Sequence, residues 1–149
     1  MEKTEKAIFT NMCMVINKDM VLIQHRTDPR WSGVAFPGGH VEPGEVFYDS
    51  VVREVWEESG MTILDPVLCG VRQFERDGAR YVVLLYIATK FTGELHDSEE
   101  GKMEWVKRDT LRQLPLARHF EYTLQVFEDS QKSECVGKKV DGEWQTYVY

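Results

Sequence analysis

The pattern of apolar and polar residues along the chain predicts strands that alternate with two helices. Apolar and β-branched residues over 7–16 and 20–25, with polar turn residues between them, predict a β-hairpin. Two further segments rich in β-branched and aromatic residues, 63–74 and 81–91, flank an Asp-Gly turn and predict an antiparallel pair. A short strand is expected at 103–106.

The clearest helical pattern begins at Phe47 or Tyr48 and ends at Ser59, followed by Gly60 as a left-handed cap residue. A second amphipathic helix is predicted from apolar residues spaced by four, four and three: Leu116, Phe120, Leu124 and Phe127. Residues 28–39 are rich in Gly and Pro and predict a structured loop. Together these elements predict an α+β fold, an α/β/α sandwich with a mixed central β-sheet.

The 149 residues are expected to form a single domain, 1–149, with residues 134–149 as an extra C-terminal hairpin that turns at Asp141-Gly142. The three cysteines are far apart and not in a Cys-x-x-Cys spacing, so the sequence indicates neither a disulfide framework nor a zinc site. No apolar run approaches the length of a membrane span and the first residues lack a signal-peptide core, so a cytoplasmic protein is expected.

The acidic charge is concentrated in two windows. The whole chain has a net charge of −7, while residues 39–61 carry −5 and residues 94–104 carry −4, which leaves +2 for the rest. A net acidic chain argues against a basic face that grips long nucleic acid. It does not exclude a phosphate-bearing molecule that binds through a metal ion.

The first acidic window places three carboxylates on one helix face, because Glu54, Glu57 and Glu58 stand at positions i, i+3 and i+4. Like charges at these spacings cost about 0.2–0.5 kcal/mol per pair, and the negative end of the helix dipole adds to the cost. A hard divalent cation such as Mg²⁺ compensates such a cluster, since it prefers oxygen ligands. The alternative is a solvated glutamate face on an ordinary helix.

The surrounding residues form a longer pattern: Gly39-x5-Glu45-x7-Arg53-Glu54-Val55-x-Glu57-Glu58-x-Gly60-Met61. This pattern resembles the Nudix box at each of its nine specified positions over 23 residues. Phe36-Pro37-Gly38-Gly39 before it and Met103-Glu104-Trp105-Val106 after it also resemble Nudix surroundings. The resemblance covers about residues 7 to 128 and implies the Nudix fold, with its strand-loop-helix motif.

The resemblance also implies an activity and a ligand set. Nudix proteins cleave a nucleoside diphosphate linked to another group, with Mg²⁺ or Mn²⁺ and attack of water on phosphorus. It implies metal ligation by Glu54, Glu57, Glu58 and the carbonyl of Gly39 or its neighbour Gly38. The roles it implies for the other box residues are orientation of these carboxylates by Arg53 and Glu45, and proton removal from water by Glu54.

Many family members add a glutamate from a distant loop, and the second acidic window is the expected source here. Glu100 is the preferred candidate, while Glu99 in the same Ser-Glu-Glu-Gly segment and Glu104 beside Trp105 remain alternatives.

Nucleotide recognition is expected from residues outside the box. Arg26 and its Gln-His-Arg segment resemble the MutT-type branch, which hydrolyses oxidised guanine triphosphates such as 8-oxo-dGTP and releases pyrophosphate. The MutT pattern has an amide side chain before the last helix, whereas this chain has Arg118 and His119, either of which is a candidate to form hydrogen bonds with a base in another geometry. The remaining candidates are aromatic residues that could stack on a base, with Trp31 and Phe120 as further possibilities beside Phe36, Phe74 and Tyr81.

These observations favour an enzyme that hydrolyses a nucleoside triphosphate in a Mg²⁺-dependent reaction, as a monomer or homodimer. The alternatives are a pyrophosphohydrolase of ADP-ribose or a dinucleoside polyphosphate, a nucleotide sensor without activity, and an acidic scaffold. Two family patterns argue against the pyrophosphohydrolase alternative. Asp77 occupies the position where ADP-ribose enzymes usually have proline, and Tyr81 lies several residues after the position of the tyrosine in dinucleoside polyphosphate enzymes.

Overall fold

A computed structural model describes residues 2–149, so Met1 of the expected domain lies outside the described residues. Within that range, no helix has both the length and the apolar character needed to cross a membrane. The elements in chain order are β1 (Ala7–Asn17), β2 (Met20–Arg26), β3 (Gly33–Ala35), α1 (Phe47–Ser59), β4 (Thr62–Leu64), β5 (Val67–Arg76), β6 (Ala79–Ala88), β7 (Lys90–Thr92), β8 (Gly101–Lys107), a 3₁₀ helix (Arg108–Gln113), α2 (Phe120–Glu128), β9 (Glu134–Val140) and β10 (Glu143–Val148).

The main sheet has eight strands and mixes parallel with antiparallel pairs. Seven strands lie in the order β10-β9-β5-β6-β1-β2-β3, and β8 pairs with β2. β1 and β2 form only two antiparallel residue pairs, which lie next to the turn between them, whereas β1 runs parallel to β6 over nine residue pairs. The predicted first hairpin therefore joins two parts of the sheet that diverge beyond the turn. The mixed sheet and the α+β class are confirmed.

The hydrophobic core lies on both faces of the sheet. Successive side chains of a strand point to opposite faces, and in β1 the fully buried Cys13 and Val15 pack with Val55 of α1. Met14, which lies between them, packs on the other face with Leu124 of α2. The two helices thus cover opposite faces of the sheet, as the sequence pattern predicts.

The predicted strand over 63–74 is divided in the structure. Asp65 has φ 51°, outside the range of an extended strand, and Pro66 has no N–H to donate to a ladder. Residues before this point form β4, which pairs with β7 in a separate two-stranded sheet, and those after it form β5. The expectation of one continuous strand is corrected accordingly.

The second predicted helix is shorter than the apolar spacing suggests, because α2 begins at Phe120. Leu116 lies before it in an extended segment and bridges to Val34 of β3. Pro115 disfavours a helical conformation for the residue before it, and His119 has φ 65° directly before the helix. Leu116 still packs on the core. It is apolar because it is buried there, although it is not part of the helix.

The C-terminal residues form an antiparallel hairpin of β9 and β10 that turns at Asp141-Gly142, where both residues have positive φ. β9 pairs in parallel with β5, from Val71 opposite Glu134 to Phe74 opposite Gly137. The hairpin therefore occupies the edge of the sheet beside β5.

Candidate active site

The loop before α1 is held against β1 by backbone hydrogen bonds. The N–H of Asn11 donates to the carbonyl of Gly39 at 2.8 Å, and the N–H of Cys13 donates to that of Pro37 at 2.9 Å. A Cβ on Gly38 would lie 2.0 Å from the backbone oxygen of Asn11. Because that oxygen belongs to the buried strand, only glycine allows the loop to approach so closely.

Asn11 is a structural residue of this loop that the sequence analysis does not identify. Its side chain is buried, accepts a hydrogen bond from the N–H of Gly39 at 3.1 Å and donates to Ser50 of α1 at 2.9 Å. It thereby ties the loop and the helix to one point of β1. The available signal is a polar side chain inside an otherwise apolar strand, since a buried amide is nearly always hydrogen-bonded.

Arg53 links the acidic residues of the box. Its guanidinium donates two hydrogen bonds to Glu45, Nε to Oε2 at 2.8 Å and Nη2 to Oε1 at 2.9 Å. Nη1 donates to Glu54 at 2.9 Å and to Glu57 at 3.2 Å, and Nη2 also donates to the carbonyl of His40. The planar fork fixes the directions of three carboxylates at once.

Glu54 lies between Arg53 and the glycine loop. Its side chain is only 12% exposed, and a Cβ on Gly39 would lie 2.2 Å from its Oε2, so glycine leaves space for this carboxylate. Burial raises the pKa of Glu54, and the charges of Glu57 and Glu100 act in the same direction while Arg53 opposes them.

Glu58 is the most buried carboxylate of the helix, with 2% of the residue exposed. Its Oε2 accepts a long hydrogen bond from the N–H of Gly38 at 3.4 Å, while Oε1 has no partner among residues 2–149. Burial raises the pKa of Glu58 to about 9, assisted by the neighbouring carboxylates of Glu100 and Glu54 and opposed by Arg26. A buried carboxylate oxygen of this kind needs a cation or a proton.

The second acidic window contributes one neighbour to this cluster. Glu100 lies close enough to raise the pKa values of both Glu58 and Glu54. Glu104 instead pairs with His25, with Oε2 2.8 Å from Nε2. Glu99 is exposed. Of the three glutamates that the sequence leaves open, Glu100 is the one whose charge acts on the box carboxylates.

The carboxylates have the chemistry that a hard cation requires. Glu58 has a buried oxygen without a hydrogen-bond partner, and Gly39 lacks the Cβ that would collide with the Glu54 carboxylate. The exposed Glu57 lies about one helical turn after Glu54. The carbonyl of Gly39 accepts one hydrogen bond and keeps a second lone pair. Among the described residues, no three His, Cys, Asp or Glu side chains are arranged so that they could hold a metal ion by themselves. Mg²⁺ is commonly held by one or two carboxylates with water and phosphate completing its shell.

Two of the predicted base-stacking residues come together on β5 and β6. The rings of Phe74 and Tyr81 stand in register, with centroids 4.9 Å apart and planes 20° from parallel. Trp31 approaches the same group through Arg76, whose guanidinium carbon lies 4.4 Å from the Trp31 ring centroid and 5.8 Å from that of Tyr81. These contacts build a partly exposed aromatic and cationic group, hereafter the aromatic face (Trp31, Phe74, Arg76 and Tyr81).

Phe36 does not belong to the aromatic face. It is fully buried and makes edge-on contacts with Phe120 at 4.9 Å and Phe127 at 5.1 Å. No ring surface is left for a base, so its expected stacking role is corrected to one in the core. Phe120, also considered for stacking, is buried in the same cluster. Hydrophobic character alone does not distinguish a core ring from a binding ring.

Arg26 and His119 lie at other points around the cluster. Arg26 ends β2 opposite Gly101, and its charge acts on Glu58 and on Arg72. His119 precedes α2, and its Nδ1 lies 3.3 Å from the hydroxyl of Thr146 in β10. Burial lowers the pKa of His119, with contributions from the charges of Arg72 and Arg118.

Arg72 is a second residue that the sequence analysis does not identify. It lies on β5 two positions before Phe74, and its guanidinium carbon is 5.1 Å from the Phe74 ring centroid. The alternation of Arg72, Phe74 and Arg76 along one strand is the signal that could have revealed it, because such residues share one face.

Comparison with known proteins supports this description of the box and the fold. The family model described as NUDIX domain matches residues 9–127. The uncharacterized Nudix hydrolase YvcI of Bacillus subtilis is 36% identical over 111 residues, which cover 70% of this chain and 69% of that protein. An ADP-ribose pyrophosphatase of Methanocaldococcus jannaschii is 35% identical over 92 residues, or 59% of this chain and 54% of that protein.

A solved structure agrees over nearly the whole chain. The crystal structure of the mMutator MutT protein from Bacillus halodurans matches with a TM-score of 0.77 and 28% identity, covering 95% of this chain and 97% of its own. That coverage exceeds the span of the family model and includes most of the C-terminal region. The chain belongs to the Nudix hydrolase family and is a member of the MutT type.

Proposed function

We propose that the protein hydrolyses a phosphoanhydride bond of a nucleoside triphosphate, 8-oxo-dGTP or another (d)NTP, to the nucleoside monophosphate and pyrophosphate in a Mg²⁺-dependent reaction. The observation that carries the proposal is the buried, unpartnered oxygen of Glu58 beside Glu54, Glu100 and the glycine loop. Such a group of carboxylates binds phosphate only when a cation lies between them.

In this proposal Glu54, Glu57, Glu58 and the Gly39 carbonyl hold Mg²⁺, for which Mn²⁺ can substitute. When bound, the cation neutralises charge on the phosphate oxygens and makes water more acidic. Arg53 and Glu45 keep the carboxylates in place through the hydrogen bonds described above.

Glu54 accepts the proton of the attacking water in this scheme. One of its oxygens accepts a hydrogen bond from Arg53 at 2.9 Å, and the other, beside Gly39, would have lone pairs for both the cation and a water molecule. Glu100 lies across the cluster and is the second carboxylate that assists this step. Attack on phosphorus then expels pyrophosphate or the nucleotide, according to which phosphorus the site presents.

The nucleoside end is assigned to the aromatic face. Phe74 and Tyr81 offer stacked rings, while Arg26 and His119 offer hydrogen-bond donors or acceptors for the phosphates and the base. Stacking is tolerant of base identity, so the polar groups decide which nucleotide binds best.

A second candidate substrate is ADP-ribose or another nucleoside diphosphate derivative. The observation that favours it is the 35% identity to the Methanocaldococcus jannaschii ADP-ribose pyrophosphatase. Both substrates share the same scissile bond and differ in the group attached beyond it. A nucleotide sensor without activity is disfavoured, because Glu54, Glu57 and Glu58 are all retained.

The experiment is a hydrolysis panel with Mg²⁺ present and products separated by ion exchange. The panel contains canonical dNTPs, 8-oxo-dGTP, ADP-ribose and a dinucleoside polyphosphate. We expect monophosphate and pyrophosphate from a triphosphate at the highest kcat/KM. A higher kcat/KM with ADP-ribose than with any triphosphate would favour the second candidate. If no compound is hydrolysed, the proposed activity is contradicted and a nucleotide sensor without activity is favoured.

Two variants make the panel specific for the box. Glu57→Gln removes a proposed ligand and is expected to reduce turnover strongly. Glu99→Gln removes the same charge from an exposed residue of the second acidic window and is expected to retain activity. Equal turnover in Glu57→Gln and wild type would contradict the proposed ligand set.

A further inference from the structure

Arg72 is a half-buried arginine in the middle of the sheet. It lies on β5 between β6 and β9, opposite Val83 on one side and Cys135 on the other. Its guanidinium packs beside the Phe74 ring at 5.1 Å. The charged group is thus held on the same strand and face as the ring to which we assign base stacking.

This guanidinium has no carboxylate partner within residues 2–149. In the described part of the chain, Arg72 forms neither a salt bridge within 4.0 Å nor a side-chain hydrogen bond, whereas Arg30, Arg53, Arg80 and Arg112 all have acidic partners. The other charges that act on it include the like charge of Arg26, and the nearby polar groups are the Tyr81 hydroxyl, the Cys135 thiol and His119.

An arginine in such a place lowers the stability of the free protein. A partly buried charge loses solvation, and proteins normally restore it with a carboxylate or hydrogen bonds. Burial and Arg26 lower the pKa of Arg72, in agreement with a missing counter-charge. Structural packing alone would be served equally well by an uncharged side chain of this length.

We propose that Arg72 is a nucleotide-binding residue that donates its hydrogen bonds to an electron-rich oxygen of the bound nucleotide. This inference rests on the proposed function and adds a specificity residue to its site. The oxygen belongs either to a base carbonyl next to the stacked ring or to a phosphate. The planar fork of arginine suits both acceptors, since each can take two parallel hydrogen bonds.

The test measures binding without turnover. GMP, AMP and guanosine are titrated separately into the protein by calorimetry in buffer with MgCl₂, since none of the three has a phosphoanhydride bond to be cleaved. Arg72→Met is expected to weaken GMP binding about tenfold or more, the range for lost hydrogen bonds to a charged group. Arg72→Lys keeps the charge without the fork and is expected to weaken binding less.

The three ligands distinguish the two sources of oxygen. If Arg72→Met loses affinity for GMP and guanosine while its affinity for AMP is unchanged, the acceptor is the base carbonyl, because adenine has an amino group where guanine has this carbonyl. If Arg72→Met loses affinity equally for GMP and AMP while its affinity for guanosine is unchanged, the acceptor is the phosphate. Arg80→Met is the control, because Arg80 is an exposed arginine paired with Glu5, and it is expected to bind like wild type.

Thermal unfolding of the free protein separates binding from a structural role. Arg72→Met is expected to unfold at the same temperature as wild type or higher, because it removes an unpartnered charge. GMP affinity within twofold of wild type in Arg72→Met and Arg72→Lys would overturn the proposal, as would a wild type that binds none of the three ligands. Absence of hydrolysis in the panel above would overturn the proposed function but not a measured loss of binding.

Discussion

At the scale of single residues, Arg53 is the centre of the box. It reaches three carboxylates and one carbonyl from a single position on α1. Its contact with Glu45 is bidentate, and its side chain is 25% exposed. These contacts mean that orientation of the carboxylates, rather than their neutralisation, is the role that the geometry supports.

Arg53→Lys tests this role, because lysine keeps the positive charge and loses the planar fork. We expect turnover to fall about 10–100-fold, the range seen when residues that orient metal ligands are changed. Steady-state hydrolysis with increasing Mg²⁺ measures the effect. Full activity in Arg53→Lys would show that a positive charge alone is sufficient.

Glu45 gives a prediction on pH. The two hydrogen bonds from Arg53 are the main cause that lowers the pKa of Glu45 from 4.5 to about 2, and a hydrogen bond from the N–H of Glu42 is the second cause. A lowered pKa in the folded state means that the stabilising contribution is present above pH 4.5 and is lost as pH falls towards 2. The difference in unfolding free energy between wild type and Glu45→Gln should therefore shrink with acidification. Urea denaturation at several values from about pH 3 to 7 measures it, and a constant difference would contradict the assignment.

At the scale of elements, the hairpin of β9 and β10 completes the sheet beside the aromatic face. Cys135 and Val136 of β9 are buried, and Gly137 lies against Phe74, where an added Cβ would be 3.3 Å from the Phe74 Cβ. In β10, Thr146 contacts His119. The hairpin thus supports two of the residues to which we assign nucleotide binding.

Two valines of β9 form a matched test of this packing. Val136 is 6% exposed and Val140 is 41% exposed. Val136→Ala should lower the free energy of unfolding by about 1–2 kcal/mol through loss of buried methyl groups, whereas Val140→Ala should change it by less than about 0.5 kcal/mol. Chemical denaturation monitored by circular dichroism compares them. Equal, small effects would show that the hairpin does not share the core.

At the scale of the whole molecule, the acidic charge is concentrated where we propose a cation site. Two windows hold −9 of charge while the rest of the chain is +2. The fold brings Glu100 of the second window to Glu54 and Glu58 of the first. Concentrated negative charge opposes folding through self-repulsion, so a bound cation should stabilise the folded state.

Magnesium is therefore expected to raise the unfolding temperature. At ten times the dissociation constant, linkage gives about 1.4 kcal/mol, or roughly 3–6 °C for a domain of this size. Glu58→Gln should abolish this response, while Glu99→Gln should keep it. Thermal unfolding in MgCl₂ is compared with NaCl of equal ionic strength. The same increase in both salts would indicate general screening instead of a cation site.

Local patterns made much of this protein predictable. The limits of α1 and the left-handed Gly60 were predictable because helix periodicity and capping depend on neighbouring residues. The division at Asp65 and the late start of α2 at Phe120 were not, because apolar spacing is also satisfied by extended segments that pack on the core.

The sequence by itself determined the α+β fold and the box, whose carboxylates are spaced by the helix they share. Only the tertiary structure decided which distant residues join them. It buried Phe36 in the core, placed Glu100 rather than Glu104 at the cluster, and set Arg72 beside Phe74 with no ion-pair partner among the described residues. The physical reason is that burial and electrostatic neighbours depend on strand order and register, which no local pattern encodes.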